Sequence, residues 1–222
     1  YGIIPRSNRS IFVINELPDL QARIQVSLFN ILEEGDIQIR GFKLRLPLDI
    51  LFVFTANPED YTNRGSIVTP LKDRIQSQIL THYPKSLEHA LEITEQEAVV
   101  HDDVVEKIMI SDLVKRLIEQ VAFEARNSEF VDKKSGVSAR LTISARENAV
   151  SAAERRALIN GEKATQVWIS DLAGIIPSIT GKVELVYEGE QEGPYQVAMN
   201  LVDKAIRSQF VQYFPNPDTL KK

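Results

Sequence analysis

Several features that mark common classes of protein are missing from this 222-residue sequence. It has no cysteine, which excludes disulfide frameworks, thiolate metal centres and cysteine nucleophiles. Its three histidines, at positions 82, 89 and 101, are not spaced as metal ligands. The longest apolar run, residues 50–54, is far shorter than the roughly 18 residues that a membrane span requires. Thiolate chemistry and insertion into a membrane are therefore not expected.

An excess of charge of one sign is also missing. Lysine and arginine number 26 against 31 aspartates and glutamates, giving a net charge of −5. This balance gives no reason to expect nucleic acid as the main partner. Polar residues Arg6, Asn8 and Arg9 interrupt any hydrophobic stretch at the N-terminus. No signal peptide is predicted, and we expect a cytoplasmic protein.

The composition that remains is that of an ordinary globular chain, 43 % hydrophobic and 26 % charged. Its first third has an α/β pattern. Residues 11–14 form a continuous apolar run of the kind buried in a parallel sheet, and residues 51–55 form a second one. Between them, apolar residues at helical spacing from Leu20 to Leu32 predict a helix that ends at Gly35.

Two further segments complete the α/β part. Residues 36–47 predict a β-hairpin, because apolar and polar residues alternate on both sides of Gly41. Residues 79–83 are typical of a third, shorter strand. The strand, helix and strand order predicts an α/β domain over residues 1–84.

After Pro84 the apolar residues keep a helical period. Long helices are predicted over residues 141–159, ending at Gly161, and over residues 195–210. We therefore expect an all-helical domain over residues 85–222.

The first candidate functional residues, Asn15 and Glu16, directly follow the strand of residues 11–14. Nucleoside triphosphatases use a buried strand ending in an acidic pair to hold Mg²⁺ and to polarise the attacking water. Such a strand delivers its side chains to the carboxyl edge of the sheet, where ligands bind in open α/β folds. The Asn15 amide carries no charge to balance the cation. Taken alone, the pair is more typical of a strand end that caps a helix.

Three more residues follow in order along the chain. Asn57 closes the second strand, Arg74 comes seventeen positions later, and Arg140 stands at the start of a predicted helix in the second domain. Singly, Asn57 is more typical of a turn, and each arginine is more typical of a solvated surface. The whole set in this order, on these elements, is hard to obtain by chance.

These residues make the chain resemble the AAA+ ATPases of the magnesium-chelatase subunit I and MoxR-like clade. The resemblance extends over nearly the whole chain, from Gly2 to about Phe214. Residues 11–16 match the Walker B strand, and residues 36–47 match the hairpin that this clade inserts before its sensor strand. The implied fold is the C-terminal part of an AAA+ P-loop NTPase core, with a parallel sheet remnant and a hairpin insert, followed by a helical lid domain.

The resemblance also implies a role for each candidate residue. Glu16 would orient the attacking water and bind Mg²⁺ together with Asn15, and Asn57 would be the sensor 1 residue that aligns the water. Arg74 would be the arginine finger, which reaches the γ-phosphate of ATP bound by the neighbouring subunit. Arg140 would be sensor 2 in the lid, and both guanidinium groups would neutralise phosphoryl charge. Catalysis thus falls to Glu16, Asn57, Arg74 and Arg140, and contacts with ATP and Mg²⁺ to Asn15, Glu16, Asn57 and Arg140.

Two departures separate the chain from that family. Asn15 stands where the family usually has aspartate. The sequence also contains no G-x-x-x-x-G-K-[ST] phosphate loop, which in the family precedes the Walker B strand. Because the chain begins with Tyr1 just before that strand, we expect it to be the C-terminal part of a longer AAA+ protein. The isolated chain is not expected to bind ATP tightly or to hydrolyse it.

The leading functional prediction is an ATP-hydrolysing subunit of a homo-oligomeric ring, hexameric in the family, that remodels a partner or assists metal insertion. A protein with a von Willebrand factor A domain is a candidate partner. The alternative is a non-catalytic assembly or binding subunit, disabled by Asn15 and by the missing loop. A transcription activator ranks last, because the hairpin lacks the activator sequence Gly-Ala-Phe-Thr-Gly-Ala. The sequence identifies neither the substrate nor the partner.

Overall fold

The computed structural model describes residues 2–39, 42–57 and 66–214. The chain divides into two compact units, residues 1–81 and residues 82–222. The first unit mixes short helices with two-stranded sheets, and the second is mostly helical with one small parallel sheet. In the described part of the chain, no helix is both long and apolar enough to cross a bilayer.

The first unit is built around a parallel pair of strands and a separate antiparallel hairpin. Its elements are α1 (Ile3–Arg6), β1 (Ser10–Ile14), a 3-10 turn (Leu17–Asp19), α2 (Ala22–Ser27), α3 (Phe29–Glu34), β2 (Asp36–Gln38), β3 (Arg45–Pro47), β4 (Ile50–Phe54) and α4 (Thr69–Arg74). Strands β1 and β4 pair in parallel, with Ile14 opposite Phe54. Strands β2 and β3 pair antiparallel. The predicted hairpin is therefore confirmed, although its tip at residues 40–41 lies outside the described residues.

The β1–β4 sheet is covered on one face only, which corrects the prediction of two fully buried strands. On the covered face, Phe12 packs edge-to-face against Phe52 with ring centroids 5.7 Å apart. On the other face the side chains are exposed, 66 % in the case of Ile11 and 61 % in the case of Leu51. Because successive side chains of a strand point to opposite faces, half of each apolar run remains exposed in this unit.

The helix predicted between the strands is present but is divided in two at Leu28. It ends at Gly35, whose φ of 63° is the left-handed conformation that suits glycine at a helix end. In α2 the fully buried residue is Gln25, whereas Ile24 of the predicted apolar stripe is exposed. The division at Leu28 ends the regular 3.6-residue period, so the stripe does not continue as one face.

The strand predicted over residues 79–83 is absent from the structure. Ile79 and Leu80 are almost fully exposed, and the segment pairs with no strand among the described residues. A short apolar run becomes a strand only where a neighbouring strand supplies hydrogen bonds, and here none does.

The second unit places one amphipathic helix at the centre of a helical cluster. Its elements are α5 (Leu87–Glu97), α6 (Asp102–Val105), β5 (Ile108–Met109), α7 (Asp112–Asn127), α8 (Arg140–Asn160), β6 (Thr165–Gln166), a 3-10 helix (Ile169–Ile175), α9 (Ile176–Thr180), α10 (Tyr187–Glu192) and α11 (Pro194–Tyr213). Helix α7 packs against α5, α8 and α11. Ser86 and Ser111 cap α5 and α7 by accepting backbone N–H bonds, and α8 ends at Gly161 as predicted.

Candidate functional site at the carboxyl end of the parallel strands

The candidate site lies where β1 and β4 end side by side. Because the two strands are parallel and in register, the residues that follow them meet at one edge of the sheet. Asn15 and Glu16 follow β1, and Thr55 follows β4. The Thr55 hydroxyl accepts a hydrogen bond from the Glu16 backbone N–H at 3.0 Å and donates to Asn15 Oδ1 at 3.3 Å. The structure thus joins the two predicted Walker B residues through one threonine.

The backbone at Glu16 turns sharply into the following helix. Glu16 has φ 51° and ψ 56°, a left-handed conformation that is uncommon outside glycine, asparagine and aspartate. The next residue, Leu17, is fully buried, and its N–H donates to the Thr55 carbonyl at 2.9 Å. The turn therefore anchors Leu17 in the core while the Glu16 residue stays exposed at the sheet edge.

Asn57 lies two residues beyond Thr55 and is also exposed. It is on the segment that continues from β4, at the same carboxyl edge as Glu16. The residues that follow it, 58–65, lie outside the described part of the chain, including the proline of the predicted Asn57-Pro58 turn.

Arg74 ends α4 and is bound within its own chain. Its Nε donates to Glu33 Oε2 at 2.9 Å, its Nη2 donates to the same oxygen, and its Nη1 donates to the Pro70 carbonyl at 2.8 Å. The guanidinium also lies over the Phe29 ring, 4.9 Å from its centroid. Glu33 and Phe29 both belong to α3, so Arg74 ties α4 to α3.

Arg140 is the first residue of α8 and belongs to the second unit. The residue is exposed, and its backbone N–H donates to the Ser138 hydroxyl at 3.2 Å. The predicted placement at the start of a helix is confirmed, whereas its predicted role toward a nucleotide stays a prediction.

The residues present fit part of a magnesium nucleotide. Asn15 and Glu16 offer oxygen ligands, which Mg²⁺ prefers, and Mg²⁺ commonly takes only one or two side-chain ligands in addition to substrate phosphates. No cluster of three or more histidines or carboxylates that could enclose a metal occurs among the described residues. The sequence has no phosphate loop to cradle the β- and γ-phosphates. The edge therefore offers oxygen ligands, but the sequence offers no cradle for a triphosphate.

Sequence reasoning missed three polar side chains that hold this unit together. Thr55 was read only as part of a strand end, and its bridging hydroxyl has no sequence signature. Gln25 is fully buried, where its amide donates to the carbonyls of Leu20 and Ser66 and its Oε1 accepts from the Val68 N–H. Glu33 lies 41 positions from Arg74, beyond the reach of any local pattern.

Comparison with known proteins adds one distant likeness. No family model matches the chain, and no curated protein matches it significantly. A crystal structure of a putative ATPase from Cytophaga hutchinsonii is similar to this chain, with 20 % sequence identity and a TM-score of 0.35. The match covers 87 % of this chain and 65 % of that chain, so the sequence spans less than two thirds of that protein. At this level of similarity, no activity is transferred from that protein to this chain.

Proposed function

We propose that this chain is part of an AAA+ ATPase subunit, resembling magnesium chelatase subunit I and MoxR-like proteins, that hydrolyses ATP in a ring. The observation that carries the proposal is the hydrogen-bonded group formed by Asn15, Glu16 and Thr55 at the shared carboxyl edge of two parallel strands. Ligands of open α/β sheets bind at this edge. The ring would be homo-oligomeric, hexameric by resemblance, and would act on a partner such as a protein with a von Willebrand factor A domain.

The chemistry follows from the side chains at the edge. The Glu16 carboxylate accepts hydrogen bonds only, so it can orient a water for in-line attack. The Asn57 amide can both donate to that water and accept from it. When bound, Mg²⁺ would neutralise phosphate charge, and the side-chain oxygens of Asn15 and Glu16 would hold it. Arginines 74 and 140 carry permanent charge and suit the phosphoryl oxygens.

Hydrolysis requires a phosphate-binding loop, and this sequence contains none. The proposal therefore requires that the natural subunit supply such a loop outside these 222 residues. The gene sequence that surrounds the part encoding these residues will show whether the natural subunit has such a loop.

A non-catalytic assembly subunit is the second candidate, and two observations favour it. The Asn15 amide carries no charge toward a cation, and its Oδ1 already accepts from Thr55. The Arg74 guanidinium is bound to Glu33 and Pro70 within its own chain. Such a subunit would keep the ring interface while having lost turnover.

Mixing of subunits tests the proposal on the complete natural subunit. An Arg74→Ala subunit, which keeps Glu16, is combined with a Glu16→Gln subunit, which keeps Arg74, and ATP turnover is measured. Each variant alone is expected to be inactive. The Arg74→Ala subunit lacks an arginine finger, which is worth roughly 10³–10⁵ in rate, and the Glu16→Gln subunit lacks the carboxylate that orients the water. The mixture should regain turnover at interfaces that pair an intact Glu16 with a neighbour's intact Arg74.

The matched control combines Arg140→Ala with Glu16→Gln. If Arg140 acts within its own subunit, every site of this mixture lacks one of the two groups, and no activity returns. Native mass spectrometry confirms that mixed rings form. Absence of rescue in the Arg74 mixture, with mixed rings present, would show that Arg74 is only the tie between α4 and α3. A wild-type subunit that binds ATP without hydrolysing it would favour the non-catalytic candidate.

A further inference from the structure

Glu119 of α7 lies buried where three helices of the second unit meet. The residue is only 2 % exposed. Its carboxyl group interacts with the hydroxyls of Thr94 on α5 and Thr142 on α8. These two hydroxyls are themselves buried and lie 2.8 Å apart, within hydrogen-bonding distance. One acidic group and two hydroxyls therefore form a small polar cluster inside an apolar helical core.

The Glu119 carboxyl is only partly hydrogen-bonded in this buried place. Its Oε1 has no hydrogen-bond partner. The Thr142 hydroxyl lies within hydrogen-bonding distance of both the Ala139 carbonyl, at 3.1 Å, and the Thr94 hydroxyl. A buried carboxylate with an unbonded oxygen has lost the water that stabilises its charge. Burial and the unbonded oxygen thus favour the neutral acid.

Burial raises the pKa of Glu119 to about 7. The hydroxyls of Thr94 and Thr142 and the charges of Arg126 on α7 and Arg146 on α8 act in the opposite direction, but their effect is smaller. Arg126 is otherwise engaged, because it donates to the Val137 carbonyl and lies over the Tyr83 ring.

Polar residues of α5 and α11 also face α7. On the α5 side, Glu95 attracts Arg146 and pairs with Lys115. From α11, Ser208 and Gln209 bond to α7 at Glu124 and Gln120.

We propose that Glu119 is a proton-dependent tie between α5, α7 and α8, and that its ionisation loosens the first turn of α8. The neutral acid places no charge at the junction where Thr94 and Thr142 join α5 to α8. The anion places a buried charge there with one oxygen unbonded, at the contact with Thr142, the third residue of α8. Because α8 begins at Arg140, the order of that residue would depend on pH. This inference stands on the second unit alone and does not require nucleotide binding.

Urea unfolding of the chain between pH 5 and pH 8 tests the tie. Fluorescence of Trp168, the single tryptophan, reports on the second unit. The folded state binds the extra proton, so stability is highest at low pH within this window and falls as pH rises toward the folded pKa. The unfolding constant should rise by up to about tenfold per pH unit below pH 7 and level off above it.

Two variants separate Glu119 from every other titrating group, including the three histidines. Glu119→Gln keeps the shape and a donor of the neutral acid, and should lose this part of the pH dependence. Glu124→Gln, on the same helix but partly exposed, should keep it. A Glu119→Gln profile as steep as that of the wild type would overturn the proposal.

A direct measurement covers the case in which Glu119→Gln fails to fold. Carbon NMR of glutamate-labelled wild-type chain should show one carboxyl that titrates near pH 7. Hydrogen exchange of residues 141–145, corrected for its intrinsic pH dependence, should accelerate across the same range. A spectrum in which all glutamates titrate near pH 4.5, or unchanged exchange at the start of α8, would equally contradict the tie.

Discussion

The two units of this chain bury their apolar residues in different ways. In the first unit, the described buried apolar cluster consists of Leu17, Leu28, Ile31, Ile67 and Leu71, while one face of the β1–β4 sheet stays exposed. In the second unit, apolar residues from α7, α8, the 3-10 helix, α9 and α11 form one continuous core. Apolar sequence is plentiful in both, so apolarity alone does not measure burial. What differs is whether other elements cover each face.

The largest expected effect comes from truncating the continuous core. Leu141 of α8 is fully buried, so Leu141→Ala should destabilise the second unit by about 2–5 kcal/mol through lost burial and a residual cavity. Urea unfolding followed by Trp168 fluorescence measures this. The control is Leu158→Ala on the same helix, where the side chain is 75 % exposed and the expected cost is within about 0.5 kcal/mol. Equal costs for the two variants would remove the contrast between covered and open positions.

An intermediate effect is expected at a partly buried ion pair of the second unit, in which Asp171 is buried and Arg156 is partly exposed. Asp171 accepts from Arg156 Nε at 3.1 Å, from Arg156 Nη2 at 2.9 Å and from the Trp168 N–H at 2.8 Å. Asp171→Asn should cost about 1–3 kcal/mol, because hydrogen bonds to a charged group are lost in a buried place. Thermal unfolding at pH 7 measures it. The control is Asp203→Asn, an exposed position on α11, which should leave the unfolding temperature unchanged.

The lowered pKa of Asp171 predicts that the second unit loses stability at low pH. Burial acts to raise the pKa of Asp171, but the hydrogen bonds from Arg156 and Trp168 together with the charge of Arg156 lower it overall. A carboxyl with a lowered folded-state pKa stabilises above its ordinary value near 3.8, and this contribution disappears as pH falls below it. The loss at low pH should be smaller in Asp171→Asn. An identical acid profile would mean that the pair does not form in solution.

The smallest effect is expected on the open sheet face of the first unit. Replacing Val13 and Leu51 together by threonine should change stability by no more than about 0.5 kcal/mol per site, because both side chains are already exposed and threonine suits a strand. Hydrogen exchange of residues 10–14 and 50–54 measures the effect within this unit. A cost above about 2 kcal/mol would show that the face is covered in solution, which would make the two units alike.

The elements that the sequence predicted correctly are those specified by local chemistry. The hairpin follows from alternation around Gly41, and two helix ends follow from glycines whose φ is positive, Gly35 and Gly161. The position of Asn15 and Glu16 at a strand end could be predicted because it depends only on the apolar strand that precedes them in the sequence. Local pattern was sufficient in these cases.

The features that were missed depend on contacts between distant residues. The burial of Gln25 is compensated by backbone groups of residues 66 and 68, and Arg74 is bound by Glu33, 41 positions away. Glu119 looks like a surface residue in sequence, and its cluster exists only because three helices converge on it. Residues 79–83 failed as a strand because strand formation requires a partner that sequence alone does not reveal.

At Glu16 the backbone is left-handed, so the residue that the fold would favour there differs from the acid that the proposed chemistry requires. A residue with a side chain costs about 1–2 kcal/mol in this conformation, a steric cost that glycine does not incur. On structural grounds alone, glycine or asparagine would be the better residue for this turn. Under the proposed function, a carboxylate at this position trades stability for reactivity, as strained residues at functional sites do. Random selection for a more stable first unit should therefore tend to remove the acid that the proposed hydrolysis depends on.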